Sequence, residues 1–212
     1  VGTSLFWHPA FYKSLFPENF ILRNYLMQGV DWLVVGTILL LIYWGERNQF
    51  SSLNFKPITA ETFSLGMALG GLSMIYIVLH RLGMNFLGWQ PVFEQQANNA
   101  TLDSIGPSFV YIYGIINVLT AGIAEEIIYR GYATERLLLL KRSKVLAFLL
   151  PWSAFILMHF RKGVDHLLIA AVVGGLMQLF YLKYRNLTIN IIGHLLIDFL
   201  GLLGIWVAYW NR

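Results

Sequence analysis

Six long apolar stretches constrain this chain more than any other feature: Met27 to Trp44, Thr62 to Leu79, Phe109 to Ala124 and beyond, Val145 to His159, Leu167 to Leu182 and Thr188 to Trp210. A bilayer span needs about 20 mainly apolar residues. Within hydrocarbon, a helix satisfies every backbone N–H and C=O inside its own segment. The expected fold is therefore all-α: a polytopic transmembrane helix bundle of about six spans, forming one membrane domain over residues 1–212. A chain that is 57% hydrophobic and 12% charged is too apolar for an ordinary soluble domain. Its seven Trp and eleven Tyr suit the aromatic belts at membrane surfaces.

Some chemistry is excluded at once. The chain has no cysteine, so it can form no disulfide, thiolate nucleophile or thiolate metal site. Its net charge of +4 is spread over short loops without a basic run interleaved with aromatics, and no nucleic-acid partner is expected. Residues 1–27 lack the continuous apolar core of a secretory signal peptide and are punctuated by Pro9 and Pro17. They are expected to form an interfacial arm. Gly66 to Gly71 in the second span carries a small-xxx-small pattern suited to close helix packing. The polar stretch Gly88 to Ser108, with Gln95, Gln96, Asn98, Asn99 and Asp103, reads as a connector, with a gating lid as the other reading.

Charges inside spans cost about 2.5–3.5 kcal/mol each on insertion scales, so they face the bundle interior and mark function or tight pairing. Asp31 is set aside, because it stands close enough to the start of the first span to reach the interface. The remaining set is Glu125, Glu126, Arg130, His159, His194 and Asp198. Glu126 and Arg130 are four apart and can pair on one helix face. Glu125 points about 100° away, towards other neighbours. Phe155 stands one turn before His159, so ring and imidazole can pack. Glu125 and His159 each lie roughly 16 residues from the turn Lys141 to Lys144, so a helical hairpin brings them to the same depth. His194 and Asp198 are again four apart, and Asn190 widens their polar stripe by one turn.

A straight-helix reading leaves one conflict. His194 stands roughly eight residues beyond the turn Lys183 to Asn186, nearer that surface than Glu125 by about 12 Å. Either Gly131 breaks the third helix or Pro151 kinks the fourth.

A glutamate and a histidine converging on one water make a general base with an orienting partner. A second His with its carboxylate can stabilise an oxyanion or protonate a leaving amine. The same donors, Glu125, His159 and His194, can also hold Zn²⁺ with a water in the fourth position, although HExxH is absent. No GxSxG serine context occurs, and Ser153 lies on a different helix face from His159.

Three motifs in order, EExxxR from Glu125-Glu126 to Arg130, FxxxH from Phe155 to His159 and HxxxD from His194 to Asp198, resemble those of the CPBP family. These are the CAAX proteases and bacteriocin-processing enzymes, also called Abi or type II CAAX prenyl endopeptidase-like intramembrane proteases. The resemblance covers residues 107–200, including Gly131 directly after the arginine, and marks that stretch as the catalytic core. It implies an intramembrane endopeptidase whose cavity opens to the cytosolic side and which acts on a membrane-associated peptide or protein within the lipid bilayer. It further implies that Glu125 activates water with His159, that Glu126 and Arg130 complete the first motif with Arg130 structural, and that His194 and Asp198 line the oxyanion region. Asp198 stands where the eukaryotic branch has asparagine, as in many bacterial members. An ionised Asp cannot donate to an oxyanion, so it is either protonated or orients His194. The family leaves a zinc-type and a glutamate-type mechanism open. A chain this short is expected to be a prokaryotic member in the cytoplasmic (inner) membrane. The competing readings are a non-catalytic bacteriocin-immunity or scaffold protein that binds a partner's segment, and an ion transporter. The transporter lacks support from paired broken helices or an inverted repeat.

Nine Lys and Arg fall on the side of the loops 46 to 61, 130 to 144 and 183 to 187, against six on the other, which puts the KRSK turn at Lys141 to Lys144 in the cytoplasm. Because the chain has no native thiol, Ser143→Cys would be its sole cysteine. A membrane-impermeant maleimide is expected to label it in inverted vesicles and not in intact cells; the reverse pattern would invert the topology.

Overall fold

In a computed structural model, residues 13–15, 19–89, 107–141, 143–160 and 163–210 are described, and they are overwhelmingly helical with no strand among them. Helix α1 is Phe20–Leu40, extended by a wide turn at Leu41–Gly45. A 3₁₀ turn at Phe50–Leu53 leads to α2, Ala60–Phe86. Helix α3 runs from Pro107–Leu119 through Thr120–Glu125 and Ile127–Thr134 to Glu135–Lys141. Then follow α4, Lys144–Met158, α5, Val164–Tyr184, and α6, Leu187–Trp210.

Local chemistry sets several of these boundaries. The Asn19 side chain accepts from the Leu22 N–H, the Thr59 side chain from the Thr62 N–H, and the Ser143 side chain from the Leu146 N–H, so each satisfies an orphan donor at a helix start. Gly163, at φ +92°, turns the chain into α5, a conformation that costs glycine little. The Asn19 cap means that α1 begins at Phe20 and takes in residues 20 to 27, which the sequence reading assigned to an arm. The other arm residues up to 18, apart from 13–15, lie outside the described residues. So do 90–106, with the connector or lid, and Arg142, Arg161 and Lys162.

Five helices are long and apolar enough to cross a membrane: Ile21–Gly45, Ala60–Phe86, Tyr111–Leu140, Val164–Tyr184 and Leu187–Val207. The chain is an integral membrane protein. Helix α4 is apolar but has only 15 residues. It therefore covers roughly 22 Å of a hydrocarbon layer about 30 Å thick.

The central part of α3 is wound with i→i+5 hydrogen bonds in two segments, Thr120–Glu125 and Ile127–Thr134. One side-chain hydroxyl follows this winding, Thr134 Oγ1 donating to the Tyr129 carbonyl five residues back at 2.8 Å, while Thr120 Oγ1 makes the ordinary four-residue bond to the Ile116 carbonyl at 2.8 Å. Wide turns advance less along the axis per residue than α turns. They draw the Glu125-Glu126 level a little towards the KRSK end, but most of the depth conflict with His194 is removed by the position of α3 itself: Gly131 lies against Leu187 and Glu135 pairs with Arg185, so α3 runs on past the α5–α6 turn before it reaches the KRSK turn. Gly131 does not break the helix; instead its bare Cα admits Leu187 and Leu53, whose Cδ2 atoms would stand 2.9 and 3.4 Å from an added Cβ.

At the KRSK end, the segment between α1 and α2 is latched onto α3, α5 and α6. Leu187 N–H donates to the Asn54 carbonyl at 2.9 Å, and Thr188 Oγ1 donates to that of Lys56 at 2.7 Å. Tyr181 Oη donates to Glu135 Oε1 at 2.6 Å, and Arg185 pairs with Glu135. Arg136 bonds to Glu46, and this hydrogen bond holds the Glu46 carboxyl below its ordinary range.

Helices α2 and α6 pack through glycines. A Cβ on Gly66 would meet Ile192 Cβ at 2.6 Å, and one on Gly70 would meet the Gly193 carbonyl at 2.8 Å, whereas Gly71 faces open space. Gly66→Ala and Gly70→Ala are each expected to destabilise by about 1–3 kcal/mol through overpacking. Gly71→Ala should be neutral or gain up to about 1 kcal/mol of helix propensity. Equilibrium unfolding of the purified protein in mixed detergent micelles measures the difference.

Candidate active site

The buried centre of the bundle is a carboxylate, Glu126, with no exposed surface. Its Oε1 accepts from Arg130 Nη1 at 2.8 Å, one turn along α3, and from His194 Nδ1 at 2.8 Å on α6. Asn190, one turn before His194, also borders this carboxylate while its Nδ2 donates to the Met177 carbonyl at 2.8 Å. The expected Glu126–Arg130 pair is therefore present and is one half of a larger clamp that ties α3 to α6.

Arg130, also fully buried, sends Nη2 to the Gly174 carbonyl on α5 at 3.1 Å and lays its guanidinium over the Phe155 ring at 4.6 Å from the centroid. This approach needs a glycine: a Cβ on Gly174 would stand 2.8 Å from the Phe155 ring. Phe155 is the common neighbour of the set. It meets Tyr129 edge-on at 5.5 Å, His159 at 4.7 Å and His194 edge-on at 6.4 Å. FxxxH thus places its ring between the two imidazoles.

His159 is buried and its Nδ1 bonds to the Phe155 carbonyl at 2.8 Å. A carbonyl only accepts, so Nδ1 carries the proton and, in the neutral ring, Nε2 presents the lone pair. For His194 the same logic makes Nδ1 the donor to Glu126, which leaves Nε2 facing Asp198 Oδ2 at 3.6 Å. The sequence reading left Asp198 either protonated or orienting His194. The hydrogen bond that fixes this ring instead comes from Glu126 on another helix, and Asp198 acts on Nε2 as a charge at longer range. Glu125, one residue from the clamp, is partly exposed and acts electrostatically on both His194 and Tyr129.

Two residues absent from the sequence-derived site border it. Asp31 was set aside as interfacial; with α1 starting at Phe20 it stands mid-span, and its charge bears on Tyr113 and Tyr129 of α3. The Asn19 cap is the sequence signal that would have found it. The second, His166, stacks on His159 with centroids 5.3 Å apart.

Among the described residues, no group of three His, Asp or Glu side chains stands as a metal-holding set. An apolar cavity of about 540 Å³ lies between α2, α3 and α6, lined by Phe63, Met67, Ile115, Leu195 and Phe199 among others. It borders a different face of α6 from His194 and carries no group able to perform hydrolysis.

Removing Glu126 would leave the Arg130 charge buried without its counter-ion. Glu126→Ala is therefore expected to cost about 3–5 kcal/mol, whereas Glu125→Gln, which leaves the clamp intact, should change stability little. Thermal unfolding of the two purified variants checks this; equal losses would contradict the division between the two carboxylates.

Residues 107–200 match the family model described as Type II CAAX prenyl endopeptidase Rce1-like, the family that the three motifs resemble. The match supports a protease. No curated protein and no solved structure matches the chain.

Proposed function

With an Rce1-like stretch at residues 107–200 in an integral membrane protein as the starting point, we propose that this chain is an intramembrane endopeptidase that hydrolyses a peptide bond of a membrane-associated peptide or protein, using a water activated by Glu125 and His159. The observation that carries this reading is the division of labour between adjacent carboxylates. Glu126 is committed to Arg130 and His194, while Glu125 stands beside that clamp within electrostatic reach of His194.

In this mechanism Glu125 takes one proton of the water as its oxygen attacks the scissile carbonyl carbon, and His159 Nε2 accepts a hydrogen bond from the same water and aligns it. The carbonyl π electrons move to oxygen, and the resulting oxyanion is stabilised by the His194 Nε2–H of the imidazolium, whose Nδ1–H is tied to Glu126. Collapse breaks the C–N bond, and the proton held by Glu125 goes to the departing amine. Asp198 Oδ2 stands 3.6 Å from His194 Nε2. Arg130 anchors Glu126 and does not touch substrate.

Profiling of new protein N-termini in membranes from cells expressing wild-type protein, against cells expressing Glu125→Gln, is the test. Cleavage products specific to the wild type are expected. On a reporter built from one cleaved protein, Glu125→Gln and His159→Ala should each reduce turnover about 10²–10⁴-fold, with the thermal midpoint retained. Undiminished cleavage by Glu125→Gln would refute the assignment.

A further inference from the structure

His159 sits where helix geometry alone confines it least. It is the C-cap of α4, at the edge of the turn that leads into α5. An imidazole's χ2 torsion is broad, so the ring plane must be set by contacts. Two come from α4 itself: the Nδ1 bond to the Phe155 carbonyl at 2.8 Å and the tilted contact with the Phe155 ring at 4.7 Å. A further contact ties the ring to a second helix. His166, in the first turn of α5, lies against it with centroids 5.3 Å apart and planes only 19° from parallel.

The first turn of α5 is itself held in place. Asp165, the neighbour of His166, is buried and accepts from His80 Nε2 at 2.7 Å, and it pairs with Arg81 Nη1 at 3.3 Å, both on α2. Tyr76 packs on His80 one turn earlier, at 5.7 Å. A chain of contacts thus runs from α2 through Asp165 to the start of α5, and delivers one aromatic face to the imidazole at the end of α4. Nothing in the three motifs calls for an aromatic residue at position 166.

We propose that His166 is a positioning residue of the site, a flat plate that holds the His159 imidazole in the plane from which Nε2 addresses the reacting water. It acts through its ring face and touches no substrate. Its consequence for turnover rests on the hydrolytic function proposed above; the stack and its effect on the ring do not. Site groups need to be held within roughly 10–20° of the productive orientation, and loss of the plate lets the His159 ring leave that window.

The test uses the full chain in lipid nanodiscs with isotope-labelled histidine, of which there are five, the His159 resonances being assigned by their loss in His159→Ala. His166→Leu and His166→Gln remove the ring, whereas His166→Phe keeps the ring and removes its nitrogens. The ring-current displacement of the His159 carbon-bound protons is expected in the wild type and His166→Phe, and should be lost in both ring-less variants. On the membrane-anchored reporter, kcat should fall about tenfold or more in His166→Leu and His166→Gln, with KM within about twofold, and return to near the wild-type value in His166→Phe. Ring-less variants with unshifted His159 resonances and unchanged kcat would overturn the proposal. So would a His166→Phe protein as slow as His166→Leu, which would assign the effect to the ring nitrogens. If the wild type cleaves nothing, the hydrolytic function fails, and the His159 resonances alone decide whether His166 positions the ring.

Discussion

The arrangement of this bundle depends on one carboxylate buried in low dielectric. Glu126 could not stay ionised at that depth without partners, because an isolated charge there costs several kcal/mol. It is held by a guanidinium from its own helix and an imidazole from α6. Because Arg130 then reaches on to the backbone of α5 and the ring of Phe155 on α4, four helices are tied to a single charge pair. Buried ion pairs contribute little net stability, but they are intolerant of misplacement. This pairing therefore specifies position more than it adds free energy: α3, α4, α5 and α6 can satisfy it only in one relative setting.

Glycine supplies the complementary constraint. In hydrocarbon, helices gain nothing from excluding water, so close van der Waals approach must hold them together. Gly66 and Gly70 let α6 settle on α2, and Gly174 lets Phe155 and Arg130 press on α5. The polar clamp says where the helices must be, and the glycines allow them to get there. The first two were readable as a small-residue pattern. Gly174 was not, because its purpose appears only once the ring of Phe155 is known to lie across it.

What could be read from sequence followed the ideal α-helix. The Glu126–Arg130 pair and the meeting of Phe155 with His159 obey a spacing of four, and both are found. The bond from Glu126 to His194 was hidden because the depth count took the KRSK turn and the Lys183-to-Asn186 turn as level, whereas Glu135 stands beside Arg185 and α3 continues past that turn. Local spacing showed Asp198 one turn from His194 and could not show Glu126, the partner on another helix. Asp31 was lost through a single cap, because placing the start of α1 several residues too late turned a mid-span acid into an interfacial one.

The wide-turned stretch of α3 has a consequence of its own. Each i→i+5 turn stores more chain than the axial distance requires, so residues 120 to 134 act as slack between two anchored ends. One end is fastened to α1 through Gln28, Asn117, Trp32 and Thr120, and the other to α5 through Glu135 and Tyr181. A one-residue deletion in this stretch can be absorbed by tightening a turn while both ends stay where they are. The helix between them would rotate by part of a turn. Loss of one residue between Glu126 and Arg130 would thus bring Glu125 to the position four before the arginine and exchange the bound acid for its neighbour, so those three residues are where a change of length matters most.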